Sequence, residues 1–130
     1  MIETDEKTTT LLVKLNKLTS LNKINWTVEK PPHSIAKGTD DHIPLYISAF
    51  YKDKVFGIFQ QRYQSYDGDH ERFYWSERVV LAILDHEDNL LWEVDGNYSA
   101  LYDLFETVRR KVARVDDIIG DLINDDDDEL

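Results

Sequence analysis

Residues 100–123, ALYDLFETVRRKVARVDDIIGDLI, carry the most regular hydrophobic pattern of the chain. Apolar side chains recur there at alternating intervals of four and three residues, the period of a coiled-coil seam. The seam comprises Leu101, Phe105, Val108, Val112, Val115, Ile119 and Leu122. Leu104 and Ile118 widen it to the stripe that a helix needs to cover a sheet. We predict one long helix, comparable in length with the diameter of a small domain.

The segment before this helix, residues 43–94, is rich in β-branched and aromatic residues. Its polar connections at 52–54, 66–71 and 85–89 separate four predicted strands at 43–51, 55–63, 73–84 and 90–94. In the third strand Phe73, Trp75, Val79, Leu81 and Ile83 have the same parity and should share one face. Because short connections join antiparallel neighbours, we predict a mainly antiparallel sheet.

The amino-terminal part has a helical pattern over residues 8–20, where Leu11, Leu12, Leu15 and Leu18 recur. Alternation over residues 23–29 predicts a further strand, and residues 33–42 are predicted as a loop. The predicted fold is therefore α+β: an antiparallel sheet of four or five strands packed against a short N-terminal and a long C-terminal helix. Residues 1–124 should form one domain and residues 125–130 a disordered acidic tail.

Composition excludes several function classes. The 130 residues include no cysteine, which removes disulfide scaffolds and thiol catalysis. The net charge of −11 is uneven: residues 1–66 carry +2 and residues 67–130 carry −13. Such a charge disfavours nucleic acid as a partner. The polar N-terminus and the lack of a long apolar run predict a cytoplasmic protein that does not cross a membrane.

Three histidines lie among acidic residues, one of them in the sequence Asp40-Asp41-His42. The other two clusters supply the candidate ligand or metal-site residues Asp67, Asp69, His70, Asp85 and His86. Carboxylate and imidazole groups can hold a divalent metal or act as an acid–base pair. The same residues also favour solvated turns, and neither acidic loop matches the calcium-binding pattern. Since no nucleotide, acyl-transfer or zinc-protease motif is present either, we predict no cofactor and no catalytic residue.

Two further groups of residues allow two interpretations each. The aromatic residues between Tyr46 and Trp75 could pack the sheet or line a groove for a ligand. The basic cluster Arg109, Arg110, Lys111 and Arg114 could pair with the aspartates that follow it, or form an interface or anion site.

Two segments, LAILDHEDNLLWEVD at 81–95 and LYDLFETVRRKVARVDDIIGDL at 101–122, resemble small uncharacterised bacterial proteins. The resemblance covers about a third of the chain, and it implies a bacterial cytoplasmic protein with a β-sheet followed by a long C-terminal helix. It implies no activity for any residue.

The function expected from these features is that of a non-enzymatic protein-interaction module whose acidic surface binds a protein partner. An inhibitor or immunity-type antagonist of a basic protein is one version, because opposite charges accelerate encounter. The long seam should outrun the sheet and hold two chains together as a homodimer. The alternative is a small-molecule-binding protein or enzyme with an aromatic-lined pocket and acidic histidine loops at its rim.

Overall fold

The computed structural model describes residues 2–36, 42–96 and 98–124, with side chains from Glu6 onward. Its elements are α1 Ile2–Ser20, β1 Thr27–Val28, α2 His33–Ala36, β2 His42–Tyr51, β3 Lys54–Asp67, β4 Arg72–Leu84, β5 Leu90–Asp95, α3 Ser99–Ala113 and α4 Val115–Ile123. The acidic tail predicted at 125–130 lies outside the described residues, as do Asp40 and Asp41.

The five strands form one sheet in the order β1-β2-β3-β4-β5, with every neighbouring pair antiparallel. The α+β class and the antiparallel sheet are thus confirmed. The turn predicted at 66–71 is shorter than expected, because Tyr66 pairs with Phe73 and Asp67 with Arg72. The β3–β4 hairpin therefore extends beyond β2, whose last partner on β3 is Arg62.

Helices α1 and α3 cover one face of the sheet, and the main core lies between these two layers. The predicted parity of β4 is reproduced: Val79 and Leu81 are buried in this core and Ile83 packs against it. The core side chains with less than 2% exposure include Leu12, Ile47, Ile58, Leu81, Leu101, Leu104 and Val108. Burying a leucine or isoleucine side chain contributes about 1.5–3 kcal/mol, so this layer contributes much of the fold's stability.

The opposite face of the sheet carries a smaller apolar cluster around Tyr46 and Phe59, against which Ile35 of α2 packs. Helix α2 lies in the segment predicted as a loop. Glycine is required at position 57, because a Cβ there would lie 2.8 Å from Cζ of the Tyr46 ring on the neighbouring strand. Burial, followed by the nearby Asp88 carboxylate, raises the pKa of Tyr46 far above its ordinary value. The phenol therefore stays neutral.

The strand predicted at 23–29 is reduced to the two residues of β1. Ile24 is buried in the helix-side core, and Trp26 Nε1 donates a hydrogen bond of 3.0 Å to Thr19 Oγ1 at the end of α1. These contacts hold the segment against α1, so it joins β2 only from Thr27, through the pairs of Thr27 and Val28 and a hydrogen bond of 3.0 Å from the Glu29 N–H to the carbonyl of Tyr46.

The single long C-terminal helix predicted for 100–123 is wrong. Arg114, with φ 54° and ψ 45°, ends α3 in the left-handed region and α4 begins at the next residue. The seam is buried at Leu101, Phe105 and Val108, but Leu122 is 66% exposed. No residue of α4 is buried, so packing there does little to oppose a change of direction. The break also lets Arg110 reach Asp116 at 2.7 Å, six residues along the chain.

Candidate protein-binding surfaces

The turn between β3 and β4 is closed by Asp67. One of its carboxylate oxygens accepts hydrogen bonds from the backbone N–H groups of Asp69, at 3.1 Å, and His70, at 3.4 Å. The other lies 2.7 Å from Nδ1 of His70. Since His70 and Asp69 are exposed, the cluster forms a solvated turn. Both carboxylate oxygens of Asp67 already have partners within this turn.

In the turn between β4 and β5, Asp85 accepts hydrogen bonds from the turn's backbone as Asp67 does in the other turn. Its carboxylate accepts bonds from the backbone N–H of Glu87 at 2.8 Å and of Asn89 at 2.9 Å. The backbone and side-chain hydrogen bonds from Asn89 lower the pKa of Asp85 below its ordinary value. His86 turns away and places Nε2 3.1 Å from Oδ1 of Asp53, in the turn between β2 and β3.

These two acidic turns lie at opposite ends of β4, whose 13 residues span roughly 44 Å at about 3.4 Å per residue. Asp67, Asp69 and His70 are therefore far from Asp85 and His86, and one ligand cannot bridge the two groups. Across residues 2–36, 42–96 and 98–124, no group of three or more acidic or histidine side chains is arranged to hold a metal ion.

The aromatic residues divide between the core and the surface. Tyr46, Phe56 and Phe59 are buried. The outer part of the β3–β4 hairpin, residues 63–76, is a two-stranded ribbon with four exposed aromatic rings, and we call it the aromatic arm. These rings, 49–65% exposed, belong to Tyr66, Phe73, Tyr74 and Trp75.

On one face of the arm, the rings of Tyr66 and Phe73 lie 5.1 Å apart. Trp75, which shares parity with Phe73, lines an open groove of 490 Å³ with His42 and Arg62. Phe73 and Trp75 therefore share the face of β4 predicted from their parity, but they lie beyond the part that helices α1 and α3 cover.

Strand β5 lies at the edge of the described sheet and has a neighbouring strand on one side only. Leu91 is 52% and Trp92 40% exposed on it. From Val79 to Val108 the sequence contains no lysine or arginine, whereas acidic residues occur in the β4–β5 turn, on β5 and on α3. We call β5 together with the turn at 85–89 the acidic edge. Sequence reasoning missed this surface, although the long stretch without a basic residue was a visible signal.

The basic cluster at the end of α3 has partners within the chain, which are carboxylates for its three arginines and an amide oxygen for Lys111. Arg109 lies 3.0 Å from Glu106, and Arg114 lies 2.8 Å from Asp117 across the helix break. Lys111 donates a hydrogen bond of 3.0 Å to Oδ1 of Asn22 after α1. All these pairs are exposed, so each contributes little to stability and can exchange for another partner.

The remaining seam residues are less buried than the first three. Val112 packs against the core and is partly exposed, as is Val115. Ile119 is 44% exposed. The seam therefore serves the core of this chain through its first half only.

No described helix is both long and apolar enough to cross a membrane. In comparisons with known proteins, no family model, no curated protein and no solved structure matches the chain. The surfaces described above are therefore the basis on which a function is proposed.

Proposed function

We propose that the protein is a non-enzymatic interaction module that binds a basic protein partner through the acidic edge. The observation that carries this proposal is the combination, on one open strand edge, of exposed Leu91 and Trp92 with the exposed acidic side chains of Glu87, Asp88 and Glu93. Binding interfaces have this anatomy, in which an apolar centre rich in aromatic residues is enclosed by a polar rim.

The register of β5 distributes these groups over both faces of the sheet. Trp92, opposite Ile83, lies on the face covered by the helices, while Glu93, opposite Ala82, lies on the other face. An extended segment of a partner could hydrogen-bond to the outer edge of β5 and present basic residues to the acids. An inhibitor or immunity-type antagonist of a basic protein would use such a surface, because charge attraction raises the rate of association.

The edge is poorly suited to pairing with its own copy. The register shift between Ile83 and Leu84 leaves Leu91 without an opposite residue, which makes β5 bulged. Two copies side by side would also bring Glu93 and its acidic neighbours against like charges. The bulge restricts strand pairing to the part of β5 after Leu91, and the like charges oppose a second copy there, so the charges favour a partner of opposite sign.

The test begins with a tagged wild-type chain that recovers its partner from the source cells, followed by association kinetics with the purified pair. Glu87→Gln combined with Glu93→Gln should slow association about tenfold at low salt, because steering depends on the local potential. The control combines Glu6→Gln with Asp103→Asn, which removes the same charge from exposed positions on α1 and α3. It should leave the association rate within about twofold of wild type.

Salt and the apolar centre provide two further measurements. Raising ionic strength should slow wild-type association, because the screening length falls to about 8 Å at physiological salt. Trp92→Ala should raise the dissociation rate more than it lowers the association rate, as loss of an apolar contact does. Equal association rates for the Glu87/Glu93 variant and the control, or rates independent of salt, would refute the proposal.

The small-molecule alternative has no comparable support. An aromatic pocket with both acidic turns at its rim would require residues 67–70 and 85–86 to converge. They lie at the two ends of β4, and of the exposed rings of the aromatic arm only Trp75 lines the groove beside His42 and Arg62, which is open.

A further inference from the structure

A groove of 400 Å³ lies beside the β1–β2 pair and reaches the turn between β4 and β5. Its lining includes Asn25, Thr27, Glu29, Ser48, Phe50 and Asp88. Tyr46, Ser48 and Phe50 alternate along β2, so they share the sheet face on which α2 packs. Since ligand sites in proteins enclose about 300–1,000 Å³, the groove is large enough for a small molecule or for a side chain of a partner.

Two carboxylates line this groove on anchored backbone. The N–H of Glu29 donates a hydrogen bond of 3.0 Å to the carbonyl oxygen of Tyr46, and the hydroxyl of Ser34 donates one to the carbonyl oxygen of Asp88. Burial is the main cause of the raised pKa of Tyr46, and the charges of Asp88 and Glu29 add to it, so both carboxylates act on the same phenol. Within residues 2–36, 42–96 and 98–124, neither carboxylate has a basic side chain in ion-pair contact. The groove therefore carries two negative charges that no described group balances.

Ser48 is an independent indication that the groove receives a ligand. Its side chain lines the groove and the residue is only 8% exposed. No residue of the described chain makes a hydrogen bond with its hydroxyl. Because buried polar groups in proteins are almost always hydrogen-bonded, an unused hydroxyl here is explained by a partner from outside the chain.

The remaining lining favours a guanidinium group as that partner. Phe50 contributes a ring that is 61% exposed, and the face of an aromatic ring attracts cations. A metal ion makes no use of a ring, and the described residues hold no group of three or more acidic or histidine side chains arranged to bind one. The guanidinium of arginine is planar, presents five N–H donors to carboxylate and hydroxyl oxygens, and stacks on aromatic faces. The ammonium of lysine is compact and strongly hydrated, so it matches this lining less well.

We propose that the groove binds an arginine side chain of the basic protein partner. The guanidinium pairs with Glu29 and Asp88, donates a hydrogen bond to Oγ of Ser48 and stacks on Phe50. Asp88 also belongs to the acidic edge, so the groove continues that surface. The inference therefore rests on the proposed function: the acidic edge attracts the partner, and the groove holds one of its arginines.

The first experiment titrates the isotope-labelled full chain with the peptide acetyl-Gly-Arg-Gly-amide and follows the backbone amide signals by NMR. The peptide should bind saturably with a Kd of about 1 mM, a weak affinity that suits a single side chain. The lysine analogue should bind at least about fivefold more weakly, because it lacks the planar fork and the stacking face. The citrulline analogue has nearly the same shape without the charge, and it should not saturate.

Variants of the lining test each contact. Glu29→Gln and Asp88→Asn should each raise the Kd of the arginine peptide about tenfold, because each removes one charge-assisted hydrogen bond. Asparagine tolerates the left-handed backbone of Asp88, at φ 65°, so this variant keeps the turn. Ser48→Ala and Phe50→Leu should each raise the Kd about threefold through the lost hydrogen bond and the lost stacking. The matched control, Glu87→Gln, removes a neighbouring exposed charge outside the groove and should stay within about twofold of wild type.

Equal binding of the arginine and citrulline peptides would overturn the inference, as would an unchanged Kd in both Glu29→Gln and Asp88→Asn. Calcium chloride that shifts the same amide signals at a lower concentration than the arginine peptide does would also overturn it, since the groove would then be a metal site. The proposed function fails separately, because it depends on slower association of the whole partner with the Glu87→Gln and Glu93→Gln variant. If that effect is present and the arginine peptide does not bind, only the assignment of the groove is wrong.

Discussion

Leu101 and Leu122 occupy the same position of the seam three heptads apart, yet their exposures are 0% and 66%. Replacing each by alanine removes the same atoms from two different environments. Leu101→Ala should lower the free energy of unfolding by about 2–5 kcal/mol, since the loss of a buried leucine adds a cavity to the transfer term. Leu122→Ala should change it by no more than about 0.5 kcal/mol when the chain is monomeric.

Urea unfolding at about 1 µM protein, followed by circular dichroism at about 222 nm, measures both variants under two-state conditions. With a slope of about 2 kcal/mol per molar urea, a loss of about 3 kcal/mol moves the midpoint down by roughly 1.5 M. Equal losses for the two variants would refute the division of the seam at Arg114, because they would require Leu122 to be as buried as Leu101.

Three other predictions concern local packing, acid stability and the tail. Gly57→Ala should lower the free energy of unfolding by about 1–3 kcal/mol, because it forces a Cβ against Tyr46. Gly120→Ala in α4, where the added Cβ meets open space, should raise it by about 0.5–1 kcal/mol. Chemical unfolding of both variants and the wild type measures these changes. Folding lowers the pKa of Asp85, so the ionised carboxylate stabilises the fold at pH values above its ordinary pKa of 3.8. This stabilisation is lost as the pH falls through the lower pKa of the folded state. The stability difference between wild type and Asp85→Ala, measured by thermal melts across acidic pH, should therefore shrink below that pH, and a constant difference would contradict the cause. Deleting residues 125–130 should leave the unfolding free energy of the monomer within about 0.5 kcal/mol of wild type, since five of these six residues are adjacent acids whose like charges repel one another.

Local patterns were sufficient for the sheet. Alternating apolar residues and short polar connections determine which segments are strands and which neighbours they join, and those relations act over a few residues. They predicted the hairpins between β2 and β3 and between β4 and β5. They did not predict how far the β3–β4 hairpin runs, since its outer residues, such as Tyr66 and Phe73, stabilise one another across the strands.

The sequence alone could not predict how the candidate site residues lie relative to one another. Sequence spacing identified Asp67 and Asp85 as acidic residues beside histidines, and their types predicted turns correctly. The distance between the clusters depends on the path of β4, which separates them by the length of a whole strand. The acidic edge became visible only when the strand order placed β5 outermost.

The sequence by itself determined the α+β class, the antiparallel sheet, the amino-terminal helix and the periodic apolar stripe from Leu101 to Leu122. Only the tertiary structure decided where that stripe is covered. A heptad pattern specifies which side chains share a face of a helix, but not whether a sheet lies opposite them. Leu101 and Val108 face the sheet, whereas after Arg114 the chain changes direction and the stripe meets solvent. Burial requires a second surface, and the position of that surface depends on the whole fold.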